Sequence, residues 1–291
     1  MSDTAPSLER VGVVGCGLMG SGIAEVCARA GLDVMVREIS EAAAEAGRAR
    51  LVKSLDRGAT AGKITEAERD AALARLHFTT DLSDLSDRQL VVEAVVEDAP
   101  MKVDIFKQLD AVVVADDAIL ASNTSSIPIM KLGTATRRPE QVIGIHFFNP
   151  VPVLRLVELV TSLMTGADTA ARSEAFATET LNKRVIRSQD RAGFVVNALL
   201  IPYLLSAIRM MESGFASADD IDTGMVEGCS HPMGPLRLTD LIGLDTTLAV
   251  AESLYEEFKE PLYAPPPLLS RMVDAGLLGR KTGRGFYTYQ R

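Results

Sequence analysis

Val11-Gly-Val-Val-Gly15-Cys-Gly17-Leu-Met-Gly20-Ser-Gly-Ile-Ala-Glu-Val-Cys-Ala-Arg-Ala-Gly31 decides how the first half of this chain folds. A four-residue apolar run enters G-x-G-x-x-G and then an Ala-rich helical stretch that stops at Gly31. Gly15 permits the tight turn, Gly17 lets a diphosphate approach the backbone, and Gly20 lets helix pack on strand. The helix start, at Leu18, Met19 and Gly20, offers free N–H groups and the positive end of a dipole to that diphosphate. A second run, 33–37, ends at Glu38, and the fingerprint wants an acid about 20 residues on to accept from a ribose 2′-hydroxyl. The order strand, turn, helix, strand, acid specifies a dinucleotide site. Glu38 favours NAD, because a 2′-phosphate would face a like charge; Arg37 beside it pulls the other way and keeps NADP open.

Outward from this unit, apolar β-rich runs at 76–79, 90–95, 118–121, 141–145, 153–160 and 183–187 follow. Helical patterns at 40–58, 65–75, 100–115 and 168–182 separate most of them, which is the alternation of a doubly wound α/β domain. Beyond Gly193 the β signal almost vanishes, and Ala-, Leu- and Met-rich helical stretches run over 194–213, 217–227, 234–258 and 266–275. The expected organisation is an α/β nucleotide-binding domain over 1–190 and an all-α domain over 191–291.

A second segment carries titratable chemistry: Gly144-Ile-His146-Phe-Phe-Asn149-Pro-Val-Pro152-Val-Leu-Arg155-Leu-Val-Glu158. Two apolar runs flank Asn149-Pro-Val-Pro152, a composition that reverses chains. A hairpin over 141–160 with its midpoint at Pro152 sets His146 opposite Glu158 on one face, with Cβ atoms roughly 5 Å apart. A carboxylate there would orient a histidine and stabilise its imidazolium, as a general base requires. A surface ion pair fits the same spacing.

The net charge of −9 argues against a nucleic-acid surface. Three cysteines, Cys16, Cys27 and Cys229, are odd in number and lack metal-ligand spacing. The first ten residues show neither an apolar signal core nor a basic amphipathic pattern, so a reducing cytoplasm is the expected home. The stretch 195–211 is mostly apolar, yet it holds Asn197, Pro202 and Ser206 and meets Arg209. It reads as a core or dimer helix and not as a membrane span, which needs about 20 apolar residues. His77, at a strand start, reads as structural, and His231, in a Pro-Gly turn, is given no chemistry.

Several further motifs stand in order: Val92-Glu-Ala-Val-Val-Glu97, Ala121-Ser-Asn-Thr-Ser-Ser126, Gly193-Phe-Val-Val-Asn197, His231-Pro-Met-Gly-Pro235, Gly243-Leu-Asp245 and Gly279-Arg-Lys-Thr-Gly-x-Gly-Phe-Tyr287. With the glycine loop and the His146 segment, they resemble the 3-hydroxyacyl-CoA dehydrogenase family over nearly the whole chain, most closely its single-function bacterial members. The resemblance implies a Rossmann-like domain followed by a helical domain that forms a homodimer. It implies oxidation of an L-3-hydroxyacyl-CoA, short-chain and expected to be 3-hydroxybutyryl-CoA, with hydride passed to NAD.

By motif, His146 is then the catalytic base and Glu158 its partner. Ser125 matches a serine near the substrate oxygen, and Asn197 an asparagine that the helical domain presents to the same site. Glu97, Lys102, Asn149 and Lys281 align with cofactor-contacting positions, as Ser125 also does; plain solvent exposure is the competing reading for the two lysines. The basic stretch with Lys53, Ser54, Arg57 and Lys63 matches the region that meets the phosphates of CoA, against the alternative of a solvated helix face. Departures from the family pattern are Glu38 where aspartate is commoner, Arg191-Ala-Gly where Pro-Gly is usual, and Arg155 in place of lysine. Two other functions remain: a dehydrogenase of free hydroxy or sugar acids, which would not need the basic stretch, and a non-catalytic dinucleotide-binding protein, which could lose His146, Glu158, Ser125 and Asn197 freely.

Overall fold

The computed structural model describes residues 8–290 and divides into two compact units, Met1–Asp190 and Arg191–Arg291. The first is built on one eight-stranded sheet of order β3-β2-β1-β4-β5-β6-β7-β8. Strands β1 (Arg10–Val14), β2 (Asp33–Arg37), β3 (Leu76–Thr79), β4 (Leu90–Glu93), β5 (Ile119–Ser122) and β6 (Val142–Phe147) are parallel. β7 (Leu156–Thr161) runs antiparallel to β6, and β8 (Arg184–Gln189) is parallel to β7. The order 3-2-1-4-5-6 is that of a doubly wound nucleotide-binding sheet, whose direction of winding reverses at β1.

Burial explains the strand composition. Val11, Val13, Val34, Val36, Val92 and Ile119 are fully buried, as strands covered on both faces demand. Each such side chain stabilises the fold by roughly 1.5–3 kcal/mol relative to exposure. Helix α1 (Leu18–Arg29) covers β1 and β2 with Ile23, Ala24, Cys27 and Ala28. α2 (Glu41–Thr60) starts at the Ser40 cap, and α3 (Glu66–Ala74) starts at a capping box in which Thr65 and Glu68 satisfy each other's end groups. α4 (Ala99–Val112) connects β4 to β5 from an Asp98 cap.

The structure adjusts several sequence expectations. β7 begins at Leu156 and not at 153, because Val153 and Leu154 turn back on the Pro150 carbonyl and the Lys183 ammonium clamps the Val151 and Leu154 carbonyls. A short α5 (Ile129–Gly133), unread in the sequence, follows Pro128. The helix expected over 168–182 is α6 (Ala167–Ala175) continued by a π turn over Phe176–Thr180.

The second unit is all helical: α7 (Val196–Glu212), α8 (Ala218–Cys229), α9 (Pro235–Ile242), α10 (Leu244–Phe258) and α11 (Pro267–Asp274). The single helix expected over 234–258 is broken into α9 and α10 at Gly243, whose φ of +104° no L side chain adopts readily. α7 buries Ile201, Leu204, Leu205, Ala207 and Ile208 and exposes Leu199 to 73%. Among the described residues, no helix is long and apolar enough to cross a membrane.

Candidate functional site

At the end of β1 the glycine loop turns under tight steric rule. Gly15 has φ +90°, and a Cβ on Gly20 would lie 1.8 Å from the Gly15 carbonyl oxygen, so neither position admits a side chain. A Cβ on Gly17 would meet nothing within 4 Å. Gly17 is therefore not needed for packing, and its bare backbone faces open space at the start of α1. That cradle fits a diphosphate, which would take the first-turn N–H groups of Leu18, Met19 and Gly20. Glu38, just past β2, accepts from the Cys16 N–H with one carboxylate oxygen and from the Ile39 N–H with the other. Arg50 on α2 donates to the Cys16 carbonyl at 2.6 Å and so pins the loop from its other side. Burial, helped by Glu38 and opposed by Arg50, pushes the Cys16 thiol up to about 12, so it stays protonated and inert.

At the ends of β4 and β5 a buried ionic cluster replaces bare backbone. The Lys102 ammonium lies 2.9 Å from Glu93 Oε1 and 2.9 Å from Glu97 Oε2. Lys102 is 1% exposed, which removes the solvent-exposed reading of that residue. Glu97 Oε1 also accepts from the Thr124 hydroxyl, the Ser125 N–H and the Ser126 hydroxyl. Burial pushes the Glu97 carboxyl up, but the Lys102 charge and these hydrogen bonds outweigh it and hold the group below the usual range. Ser125 therefore sits in a turn fixed by the same carboxylate, and Asn123 ties that turn to β6 by accepting from the Phe147 N–H.

The β6–β7 pairing sets His146 opposite Glu158, as the Pro152 midpoint requires. His146 Nδ1 lies 2.7 Å from Glu158 Oε2; the histidine is 6% exposed and the glutamate 0%. Burial removes the surface ion-pair reading. A carboxylate accepts from Nδ1–H, so that tautomer leaves Nε2 as the basic nitrogen. The Phe148 ring, its centroid 4.6 Å from that of the imidazole, covers one side of it. Asn149, beyond it, is exposed in the turn. The arrangement provides a proton acceptor held in one orientation, beside a turn that carries a serine.

The basic stretch does not form one cluster. Lys53 and Arg57, one turn apart, line an open groove on α2 with Arg48, and Lys63 lines a different groove with Arg29, Arg155, Lys183 and Glu68. Ser54 lines neither. In the helical unit, Asn197 stands in the first turn of α7, and the Lys281 ammonium is held by both Asp245 carboxylate oxygens. His77 pairs with Asp33 at 3.3 Å, and His231 Nδ1 meets the Tyr203 hydroxyl at 3.1 Å. Glu93, Thr124, Arg50 and Phe148 were not singled out in the sequence. A buried acid closing an apolar strand, Leu90-Val-Val-Glu93, was the one available signal among them.

Comparison with known proteins follows the same division. Residues 10–191 match the family described as 3-hydroxyacyl-CoA dehydrogenase, NAD binding domain, and residues 193–289 match its C-terminal domain. A 3-hydroxybutyryl-CoA dehydrogenase of Mycobacterium tuberculosis is 65% identical over 289 residues, 99% of this chain and 100% of that protein. The crystal structure of Mycobacterium tuberculosis FadB2 superposes with a TM-score of 0.97 at 65% identity, covering 98% of this chain and 100% of that one. That of (S)-3-hydroxybutyryl-CoA dehydrogenase PaaH1 from Ralstonia eutropha does so with 0.92 at 49% identity and the same coverage.

Proposed function

The chain belongs to the 3-hydroxyacyl-CoA dehydrogenase family, and from that premise we propose that it interconverts an L-3-hydroxyacyl-CoA, 3-hydroxybutyryl-CoA first among them, and the 3-oxoacyl-CoA. The observation that carries this reading is the buried His146–Glu158 pair at 2.7 Å beside the Ser125 turn. His146 Nε2 takes the proton of the C3 hydroxyl, and Glu158 holds the imidazolium that forms. Ser125 donates to the same oxygen and keeps it in place. The hydride that leaves C3 would be accepted by nicotinamide when that cofactor is bound. In reduction the imidazolium returns its proton to the ketone oxygen. Asn197 is proposed as a further ligand of the reacting oxygen on its motif alone, and Asn197→Ala tests it through kcat.

NAD is the proposed form of the cofactor, on the strength of the Glu38 carboxylate beside the glycine loop. Lys102 would act on the nucleotide through Glu97, since its ammonium is buried against Glu93 while Glu97 keeps its side chain partly exposed. Asn149 and Lys281 are kept as proposed contacts by motif. Of the basic stretch, Lys53 and Arg57 are the proposed phosphate ligands on α2, with Ser54 and Lys63 as secondary ones. Free Cys16, Cys27 and Cys229 support a reducing cytoplasm. A homodimer through the helical unit is proposed from the exposed apolar side chains Leu199 and Phe215, 73% and 80% exposed. Sedimentation should give twice the 31.2 kDa chain mass.

Initial rates with acetoacetyl-CoA and with free acetoacetate, each against NADH and NADPH, test the reading. Turnover confined to acetoacetyl-CoA with NADH is the expected result. Comparable rates with free acetoacetate would overturn the assignment of the CoA ester.

A further inference from the structure

Glu93 closes β4 and is 0% exposed, one strand pairing away from β5 and outside the His146–Glu158 hairpin. Its carboxylate is nonetheless fully engaged. Oε1 accepts from the Val95 N–H at 2.7 Å and from the Lys102 ammonium at 2.9 Å, and Oε2 accepts from the Ser122 hydroxyl at 2.6 Å. All three partners are donors, so the site is built for the charged carboxylate.

Two separate routes run from this carboxylate to the turn that carries Ser125. In the first, Lys102 passes the contact to Glu97 Oε2, while Glu97 Oε1 accepts the Ser125 N–H at 3.0 Å. In the second, the Ser122 hydroxyl that donates to Glu93 accepts the Thr124 N–H at 3.1 Å. The turn is thus gripped at Thr124 and Ser125 by groups that both depend on one buried acid. A buried polar network is worth most when every member is satisfied, and removal of one member strands the others.

The same cluster carries charge. Two carboxylates share one ammonium, which leaves one negative charge uncompensated within it. The diphosphate cradle lies at the end of β1 and Glu38 at the end of β2, which is the adenosine half of a doubly wound sheet. The nicotinamide half of a bound dinucleotide would therefore extend over the ends of β4 and β5, where Glu93 and Ser122 stand. A net negative charge there favours the cationic oxidised ring over the neutral reduced one.

We propose that Glu93 is a positioning residue for the dehydrogenase reaction, fixing the Ser125 turn by two routes and biasing the site toward the oxidised cofactor. This rests on the acyl-CoA reading for its turnover readout, but not for its cofactor readout. The experiment compares Glu93→Gln, which keeps shape and removes charge, with Ser122→Ala, which cuts the second route and leaves the charge. Each is made in the wild type and in a Ser125→Ala background. NAD and NADH dissociation constants are measured by calorimetry without substrate.

Both variants should lower kcat for acetoacetyl-CoA reduction by about tenfold, within the range of losses from misplacing reacting groups, with KM changed less than about twofold. In the Ser125→Ala background each should cost less than about twofold, because the group they position is gone. Glu93→Gln should raise the ratio of NAD to NADH dissociation constants by roughly threefold or more, and Ser122→Ala should leave it unchanged. Losses in kcat that persist in full without Ser125, or an unaltered ratio in Glu93→Gln, would overturn the proposal. If Glu93→Gln does not fold, Ser122→Ala decides the positioning alone. A wild type that fails to turn over acetoacetyl-CoA refutes the acyl-CoA reading, while the two dissociation constants still decide the bias.

Discussion

At the end of β1 the working surface is backbone: Gly15 and Gly20 admit no Cβ, and Gly17 is left bare toward open space. At the end of β6 it is side chain: His146 and Glu158 meet at 2.7 Å, both buried, across two strands that run in opposite directions. The loop binds by what it lacks, so its function is carried by consecutive residues. The hairpin acts by what two distant residues share, so its function depends on register. A one-residue slip would turn one partner to the other face of the sheet. The first region should therefore fail through affinity, and the second through turnover.

The largest expected effect breaks the hairpin. His146→Gln should lower kcat by about 10²-fold or more, the lower end of what a positioned proton-transfer group supplies, with NADH affinity unchanged. Near-normal turnover in stopped-flow or steady-state assays would remove His146 from the mechanism. Glu158→Gln should lower kcat by about tenfold or more.

The loop should fail differently. Gly17→Ala meets no protein atom within 4 Å, so thermal stability should hold while the NADH dissociation constant rises about tenfold. Gly20→Ala, driven into the Gly15 carbonyl at 1.8 Å, should lose both stability and binding. Equal melting temperatures for these two variants would contradict the steric account of the loop. Glu38→Ser should narrow the preference for NADH over NADPH severalfold by removing a like charge from the 2′-phosphate. A wild type that prefers NADPH would mean that Arg37 governs the choice.

The smallest effect lies between the two regions, in the Glu97 carboxylate. Its folded value is depressed by Lys102 and the Ser125 turn against the opposing push of burial. Such a group contributes stability that is present above its unfolded value, about 4.3, and lost as pH falls through the folded one. Urea midpoints at pH 7 and pH 4 should therefore differ less in Glu97→Gln than in the wild type. An equal acid dependence in both would assign the acid lability elsewhere.

Periodicity and composition alone carried the alternation of strands and helices, the glycine turn, the acid after β2 and the all-α second unit, because each is a property of neighbouring residues. Boundaries were less well marked. The break at Gly243 hid inside an apolar pattern, since one glycine with positive φ stops a helix without altering its hydrophobic period. The start of β7 hid because Val153 and Leu154 are apolar yet exposed in the turn, their carbonyl neighbours held by Lys183 from a distant segment.

The site divides along the same line. The residue spacing around Pro152 was enough to pair His146 with Glu158, because an antiparallel register follows from its turn. Whether that pair faces water or lies buried is a matter of what covers it, and only the packed structure decided for burial. Lys102 and Glu93 show the same limit more strongly. A lysine nine residues from a glutamate gives no local sign that both are buried and joined at 2.9 Å. That contact exists because α4 starts near the carboxyl end of β4, an interior strand beside β5, where desolvation makes each charge depend on its partners. The separation of Lys63 from Lys53 and Arg57 likewise came from the folded chain: Lys63 lies past the end of α2, in the turn before α3, and lines a different groove.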